Sequence, residues 1–308
     1  MKVVSPLPSF ISNSDAMKKF LLKIGFAIIC FSTLLVVGYF VLHWISEKSN
    51  VCKYSNGKIF VWGDSQMYQG LDVSLLSERL EKQVLTSAGH GAGVYDFLVS
   101  EKNIQDNSVS IVSFPECALL RNPLSDNNRT GLDLSCLWNL LNNGCPLDEC
   151  WRIVALNNKS IIYSAFRTNH DLYPYVDSLV CPEPLSGFCR MFSEEKDYFD
   201  WKAKTYYQGI QQLSEKQVQI ILIQFPFEKQ VEDCARNSIN RHLSDSLKQV
   251  IIKNYTMEYD TITLSSDSLL MHDLSHVNEV GARLLTVEIA SILQNDTVNN
   301  HYIEVMIR

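Results

Sequence analysis

Two segments of the chain carry the residue types of a serine nucleophile and its base. The stretch FVWGDSQ runs from an apolar strand pattern straight into Gly63, Asp64 and Ser65. Near the other end of the chain, the stretch MHDLSHVNEVG places Asp273 and His276 three residues apart. A serine hydroxyl becomes an effective nucleophile near neutral pH when a base takes its proton, and a third group must orient that base. We therefore expect Asp273 to bind Nδ1 of His276, with Nε2 facing Ser65.

Each of these motifs also has a purely structural explanation. Gly63 and Asp64 fit an ordinary turn at the exit of a strand, and Asp273 or Ser275 could cap the helix that follows. His272 is a second candidate base, although the adjacent Asp273 is poorly placed to orient it. The catalytic interpretation is favoured because both motifs fall at the ends of predicted strands.

Short apolar runs alternate with helical patterns through most of the chain. The predicted strands begin with IFVW at 59–62 and end with YDTITLSS at 259–266, and a last helix is predicted over 277–294. This alternation favours an α/β fold with a parallel sheet that is covered by helices on both faces. Because the reacting groups of such sheets gather at the carboxyl ends of the strands, we expect Ser65 and His276 at one edge.

The stretch from 115 to 192 does not fit this alternation. It contains six cysteines and several prolines, and we predict that it is an insertion stapled by disulfides, outside the sheet. Its aromatic residues could stack on sugars or could form the small core of the insertion; they include Trp138, Trp151, Tyr173 and Tyr175.

The cysteines indicate an oxidising compartment. Cys30 lies in an apolar segment near the N-terminus, and eight others follow it: Cys52, Cys117, Cys136, Cys145, Cys150, Cys181, Cys189 and Cys234. Their spacing matches no zinc ribbon or CxxC motif, so disulfides are favoured. Eight cysteines allow about a hundred pairings, and the sequence does not choose among them. A set of free buried thiols is the alternative.

Residues 24–45 are predicted to form a membrane anchor. These 22 residues carry no formal charge, and at about 1.5 Å per residue they span roughly 33 Å, enough for a bilayer core. The positive charges before the segment are Lys2, Lys18, Lys19 and Lys23, and those close behind it are Lys48 and Lys53. This asymmetry favours a cytoplasmic N-terminus at 1–23, a single-pass anchor, a linker at 46–57 and an exported domain.

Charge and composition exclude several classes of partner. Residues 51–308 carry 22 basic and 32 acidic side chains, a net charge of −10, whereas nucleic-acid binding requires the opposite sign. No cluster of His, Cys, Asp and Glu has metal-ligand spacing, and no glycine pattern forms a phosphate-binding loop. We therefore predict no nucleic-acid partner, no metal and no other cofactor.

The motifs GDSQ near the start of the predicted domain and DLSHVNEVGARLL near its end resemble the first and last motifs of the SGNH (GDSL-like) hydrolase superfamily. The resemblance covers about 58–294 apart from the insertion, within a predicted domain at 58–296 that precedes a tail at 297–308. It implies a flavodoxin-like three-layer α/β/α fold and ester chemistry. Ser65 then matches the nucleophile, His276 the base and Asp273 the partner of the base.

The middle motifs of the family match less closely. A glycine after the second strand of the family donates its N–H to the oxyanion, as does the nucleophile Ser65; the stretch TSAGHGAG offers Gly91, with Gly89 as the alternative. After the third strand the family has Gly-x-Asn-Asp, whereas this chain reads VSFPECALL and places Glu116 there. The missing asparagine donor corresponds to a factor of roughly 10² to 10³ in rate. An ionised Glu116 would also repel a developing negative charge.

Some membrane-anchored members of the family move acyl groups onto envelope polymers and also depart from the middle motifs; examples are alginate acetylation proteins and the D-alanine transfer protein of teichoic acids. The resemblance therefore implies transfer of an O-acyl group, preferably acetyl, on a cell-envelope polysaccharide in the periplasm or outside the cytoplasmic membrane. The implied partners are the bilayer, the polysaccharide and a multi-pass membrane protein that donates the acyl group. A plain esterase and a catalytically silent glycan-binding scaffold are the alternatives.

Overall fold

The computed structural model describes the chain in separate stretches. Near the N-terminus these are residues 19, 21–33 and 37–38; further on they are 59–89, 91–102, 104, 106–121, 134–150, 152–153, 184–194, 197–264, 271–295 and 299–307. Contacts divide the chain into two units, Met1–Val51 and Cys52–Arg308. The second unit contains the sheet and the candidate site.

The first unit is helical at residues 21–33 and 37–38. Among the helices that the structure describes, none combines the length and the apolar character of a bilayer span. Residues 34–36 and 39–45 of the predicted anchor lie outside the described residues. The anchor, and the orientation that follows from it, therefore remain predictions.

The second unit is built on one six-stranded sheet in which all paired strands are parallel, as the alternation of strands and helices predicts. The spatial order of the strands is β2-β1-β3-β4-β6-β5. Their bounds are β1 (Ile59–Trp62), β2 (Val84–Thr86), β3 (Val109–Ser113), β4 (Gln219–Gln224), β5 (Glu258–Leu264) and β6 (His301–Ile307). The strands β1 and β3 are neighbours, so the segments that follow them lie at the same edge of the sheet.

Strand β1 and the centre of β4 are apolar because both faces of the sheet are covered. Every residue of IFVW in β1 and QIILIQ in β4 is buried, which is typical of parallel strands between two helical layers. Alternate side chains of β1 point to opposite faces. On one face Ile59 and Val61 join a buried cluster with Leu285; on the other, Trp62 packs on Phe97 with ring centroids 4.5 Å apart.

Helices connect most of the strands and form the two outer layers. In chain order they are α1 (Ser65–Gly70), α2 (Val73–Leu80), α3 (Val94–Glu101), α4 (Glu116–Leu120), α5 (Leu134–Asn142), α6 (Leu185–Ser193), α7 (Phe199–Glu215), α8 (Lys229–Ala235), α9 (Ile239–Asn254) and α10 (Glu279–Asn295). Helix α2 packs against α10, and α3 packs against α7. The α3–α7 contact includes Phe97 and Tyr206, whose rings lie 5.1 Å apart.

The C-terminal residues correct one prediction. The sequence predicts a tail at 297–308, but His301–Ile307 forms strand β6 between β4 and β5. Tyr302 and Ile303 are fully buried there. Polar residues such as Glu304 and the closeness of the chain end hide the strand in the sequence. Strand β6 is buried because β4 and β5 pair with it on either side, and the sequence around 301–307 does not show which strands are its neighbours.

One disulfide joins two of the cysteines that the structure describes. Described residues between β3 and β4 lie outside the sheet, most of them in helices, and one disulfide, Cys189–Cys234, joins α6 to α8. Cys145 and Cys150 are buried without a disulfide. These two residues correspond to the alternative of free buried thiols: Cys145 Sγ donates to the Pro146 carbonyl at 3.6 Å, and Cys150 Sγ donates to the Cys145 carbonyl at 4.0 Å. The described residues do not include Cys52 and Cys181.

Candidate active site

The turn after β1 brings the backbone close to its neighbours at Gly63. A Cβ atom at this position would lie 2.3 Å from the Cβ of Met67 and 2.6 Å from Oγ of Ser113. No side chain fits in that space, so glycine is required for the close approach of the backbone. The turn ends at Ser65, which is the first residue of α1 and is half-buried.

Asp64, which the sequence assigns, as an alternative, to an ordinary turn after the strand, caps a helix. Its Oδ1 accepts the backbone N–H of Gln66 at 3.1 Å and caps the short helix α1. The side chain is fully buried, and burial raises the pKa of its carboxyl group above the usual value. By capping α1, Asp64 also helps to position Ser65, because Ser65 is the first residue of that helix.

The segment 271–277 forms a closed loop before α10. An isolated antiparallel bridge joins Met271 to Val277, and the N–H of His272 donates to the His276 carbonyl at 2.7 Å. Inside the loop, Oδ1 of Asp273 accepts the His276 N–H at 2.9 Å. The loop thus has hydrogen bonds of its own that hold its shape.

The helix after this loop is capped by a different residue. Helix α10 begins at Glu279, and Oδ1 of Asn278 accepts the N–H of Gly281 at 3.0 Å. The alternative in which Asp273 or Ser275 caps this helix is therefore wrong. The side chains of Asp273 and Ser275 instead contact the imidazole of His276.

The loop places His276 between Ser65 and Asp273. Its Nε2 lies 2.8 Å from Ser65 Oγ, and its Nδ1 lies 2.8 Å from both carboxylate oxygens of Asp273. In the tautomer that satisfies these contacts, Nδ1–H donates to Asp273 and Nε2 accepts the Ser65 hydroxyl. These are the distances expected when a base activates a serine. His272 lies exposed on the same loop.

Asp273 is held as a carboxylate. Burial favours its neutral form, but hydrogen bonds from the His276 ring and from the backbone N–H groups of Ser275 and His276 outweigh burial and lower the pKa of Asp273 to about 2. The Ser275 N–H lies 2.8 Å from Oδ1. A carboxylate in this position can fix the imidazole tautomer and stabilise the imidazolium that forms when Ser65 loses its proton.

The two candidate oxyanion glycines differ in their surroundings. The N–H of Gly89 donates to the Gly63 carbonyl at 3.0 Å, so it already has an acceptor and is disfavoured as an oxyanion donor. Gly91 is buried with φ of +74°, a conformation that glycine adopts without strain. Gly91 therefore stays the preferred candidate beside the N–H of Ser65.

Glu116, which replaces the expected asparagine motif, is paired. Its Oε2 lies 2.5 Å from Nη1 of Arg241, whose Nη2 lies 2.6 Å from Glu232. Glu116 is only 2% exposed, and burial raises the pKa of its carboxyl group. The Arg241 guanidinium offsets the negative charge that the sequence analysis expected to oppose an oxyanion. The sequence offered no signal for this pair, whose members are separated by 125 positions.

One contact across the site was not predicted. The Gln66 side-chain amide donates to the Ser275 carbonyl at 3.0 Å. The available signal was a polar residue directly after Ser65. The contact joins helix α1, which carries Ser65, to the loop that carries His276.

Comparison with known proteins adds no relative, since no protein-family model and no curated protein matches this chain. Within the stretches that the structure describes, no group of three His, Cys, Asp or Glu side chains is placed to hold a metal ion. The geometry of Ser65, His276 and Asp273 is therefore the feature that indicates a chemical role for this site.

Proposed function

We propose that this protein is a serine-dependent acyl-ester enzyme of the SGNH type. The observation that carries the proposal is the chain of contacts from Ser65 Oγ through His276 to Asp273, with 2.8 Å at each step. The order β2-β1-β3-β4 of the first strands supports the flavodoxin-like relationship, while the insertion of β6 before β5 departs from that order. The site lies at the carboxyl end of β1, where such sheets place their reacting groups.

The reaction proceeds by double displacement. His276 Nε2 takes the hydroxyl proton as Ser65 Oγ attacks the acyl carbonyl, and Asp273 stabilises the resulting imidazolium. The N–H groups of Ser65 and Gly91 stabilise the oxyanion. His276 then gives its proton to the leaving alkoxide, which leaves an acyl-serine. In the second half, His276 takes the proton of an acceptor hydroxyl, that oxygen attacks the acyl-serine, and His276 returns the proton to the departing Ser65 oxygen.

The preferred acceptor is a hydroxyl of a cell-envelope polysaccharide, and the preferred group is acetyl. The uncharged segment 24–45 supports a single-pass anchor in the cytoplasmic membrane with the catalytic domain outside it. The acidic balance of residues 51–308 fits a neutral or cationic substrate surface better than an anionic one. A multi-pass membrane protein would supply the acyl group; this partner comes from the resemblance alone.

Two other functions follow from specific observations. Water fits the same mechanism as acceptor, which would make the protein an esterase. The absence of an asparagine at the Glu116 position favours a catalytically silent glycan-binding scaffold, because one expected oxyanion donor is missing. The ion pair with Arg241 weakens the case for the scaffold, because it offsets the charge of Glu116 that would repel an oxyanion.

The proposal is tested by the turnover of aryl acetates by the purified protein. We expect release of the phenol by the wild type and loss of that activity in Ser65→Ala and His276→Ala. Adding an acceptor glycan separates the two catalytic functions, since a transferase forms acylated sugar and an esterase forms free acid alone. Equal phenol release by wild type and Ser65→Ala would exclude catalysis by this site and favour the scaffold.

A further inference from the structure

We propose that Gln66 is a positioning residue that holds the loop of His276 in register with Ser65. The effect on rate rests on the function proposed above, whereas the contact itself is a feature of the fold. Gln66 Nε2 donates to the Ser275 carbonyl at 3.0 Å. Both residues are buried, with exposed fractions of 4% and 6%, so water does not compete freely for this hydrogen bond.

The Gln66–Ser275 hydrogen bond lies next to the contact between Ser65 and His276. Gln66 directly follows Ser65, and Ser275 directly precedes His276, so the amide-to-carbonyl bond runs beside the Ser65–His276 contact. Two adjacent links between the same two segments restrict their separation and their relative rotation. One link alone would allow the imidazole to tilt away from the hydroxyl.

Other contacts fix the shape of the loop or its far side. The bonds to the Asp273 carboxylate are internal, so they leave the loop free to move as a body. The N–H of Glu228, at the start of α8, donates to the Leu274 carbonyl at 2.9 Å. Among the described residues, this bond and the Gln66 bond are the hydrogen bonds that tie residues 272–276 to other segments, apart from the Ser65–His276 contact. Of these two bonds, the one from Gln66 joins the loop to helix α1, which carries Ser65.

Gln66 is itself held in place. Its backbone N–H donates to Oδ1 of Asp64 at 3.1 Å, so the cap that orients Ser65 also orients Gln66. A side chain that lacks a donor would leave the buried Ser275 carbonyl without this partner. We expect the loop to shift by a fraction of an ångström, which is enough to slow a reaction that depends on near-attack geometry.

The test compares Gln66→Leu with a matched control, Gln294→Leu. Gln294 Nε2 donates to the Arg79 carbonyl at 2.8 Å and joins α10 to α2 across 215 positions; this bond is exposed, so the control removes an amide-to-carbonyl bond of similar reach that lies outside the site. The readout is the rate at which a serine-directed phosphonate labels the full-length protein. We expect Gln66→Leu to label roughly 10- to 100-fold more slowly and Gln294→Leu to label at the wild-type rate.

A second variant, Gln66→Glu, separates positioning from a general structural effect. The introduced carboxyl group can donate to the Ser275 carbonyl only when it is protonated. The ratio of the Gln66→Glu labelling rate to the Gln66→Leu rate should therefore rise as pH falls. A ratio that does not change with pH contradicts the proposal.

A third readout does not depend on reactivity. The ¹H NMR signal of the proton between His276 Nδ1 and Asp273, assigned by its loss in His276→Ala, reports the imidazole position. We expect faster exchange of this proton with water in Gln66→Leu than in wild type. If the wild type is not labelled, the proposed function fails, and this signal alone decides the role of Gln66. A Gln66→Leu variant with wild-type labelling and wild-type exchange overturns the inference while leaving the enzyme function intact.

Discussion

Asp273 orients the imidazole of His276 toward Ser65 through its carboxylate. It accepts the backbone N–H groups of Ser275 and His276 as well as the imidazole. These bonds hold the pKa of Asp273 at about 2 although burial opposes ionisation. The residue therefore remains charged through the pH range in which a histidine base works.

Asp273→Asn should slow the aryl acetate reaction by roughly 10⁴, the loss found when a triad carboxylate is replaced by an amide elsewhere. The amide no longer stabilises the imidazolium, and it can hold the ring in the wrong tautomer. Asp72→Asn is a matched control, because Asp72 Oδ1 accepts the N–H of Leu75 and caps α2 without touching the site. A rate for Asp273→Asn within tenfold of wild type would contradict the assigned role.

The same pKa predicts a change of stability with pH. Because the folded-state pKa of Asp273 is lowered from 3.8 to about 2, the stabilisation is complete above about pH 4 and is lost as pH falls through 2. The loss should be about 2 kcal/mol in the free energy of unfolding. Urea unfolding between pH 5 and pH 2 measures it. We expect Asp273→Asn to lack this share of the pH dependence; an identical decrease in both proteins would refute the assignment.

At the scale of elements, an ion pair between α4 and α9 stabilises the segment after β3. Glu116 begins α4 and is 2% exposed, and Arg241 on α9 is 13% exposed. The guanidinium also contacts Glu232 on α8 at 2.6 Å. Removing one member of such a pair leaves a buried charge without its partner.

Arg241→Met should therefore lower the free energy of unfolding by about 3–5 kcal/mol. Adding Glu116→Gln should recover part of this loss, because the buried carboxylate is then absent. Urea unfolding of both single variants and the double variant gives the coupling directly. Strictly additive losses would show that the two side chains do not stabilise each other.

At the scale of the whole molecule, the sequence predicts most strands and helices, because these follow from the pattern of neighbouring residues. Ser65 directly follows the apolar run of β1, and His276 lies in the connection between β5 and α10, so their presence at the same end of the sheet follows from the parallel arrangement. Contacts between residues far apart in the chain could not be predicted from the sequence. The pairing of Glu116 with Arg241, the Gln66 amide and the place of β6 depend on three-dimensional packing that no local spacing encodes.

The internal position of strand β6, which the sequence did not reveal, can be tested by deletion. Because it pairs with both β4 and β5 inside the sheet, removal of residues 299–308 should abolish cooperative unfolding, whereas removal of a true tail would have little effect. Thermal unfolding followed by circular dichroism measures the difference. Tyr302→Asp, which places a charge at a fully buried position, should produce the same loss. Wild-type cooperativity in both proteins would contradict the internal position of β6.

The most direct measurement of the central claim is mass spectrometry of the protein after treatment with a serine-directed phosphonate. We expect one adduct per chain, located on Ser65, and strong suppression of the adduct in His276→Ala. An unlabelled wild type, or an adduct on another serine that forms equally in Ser65→Ala, would contradict the account.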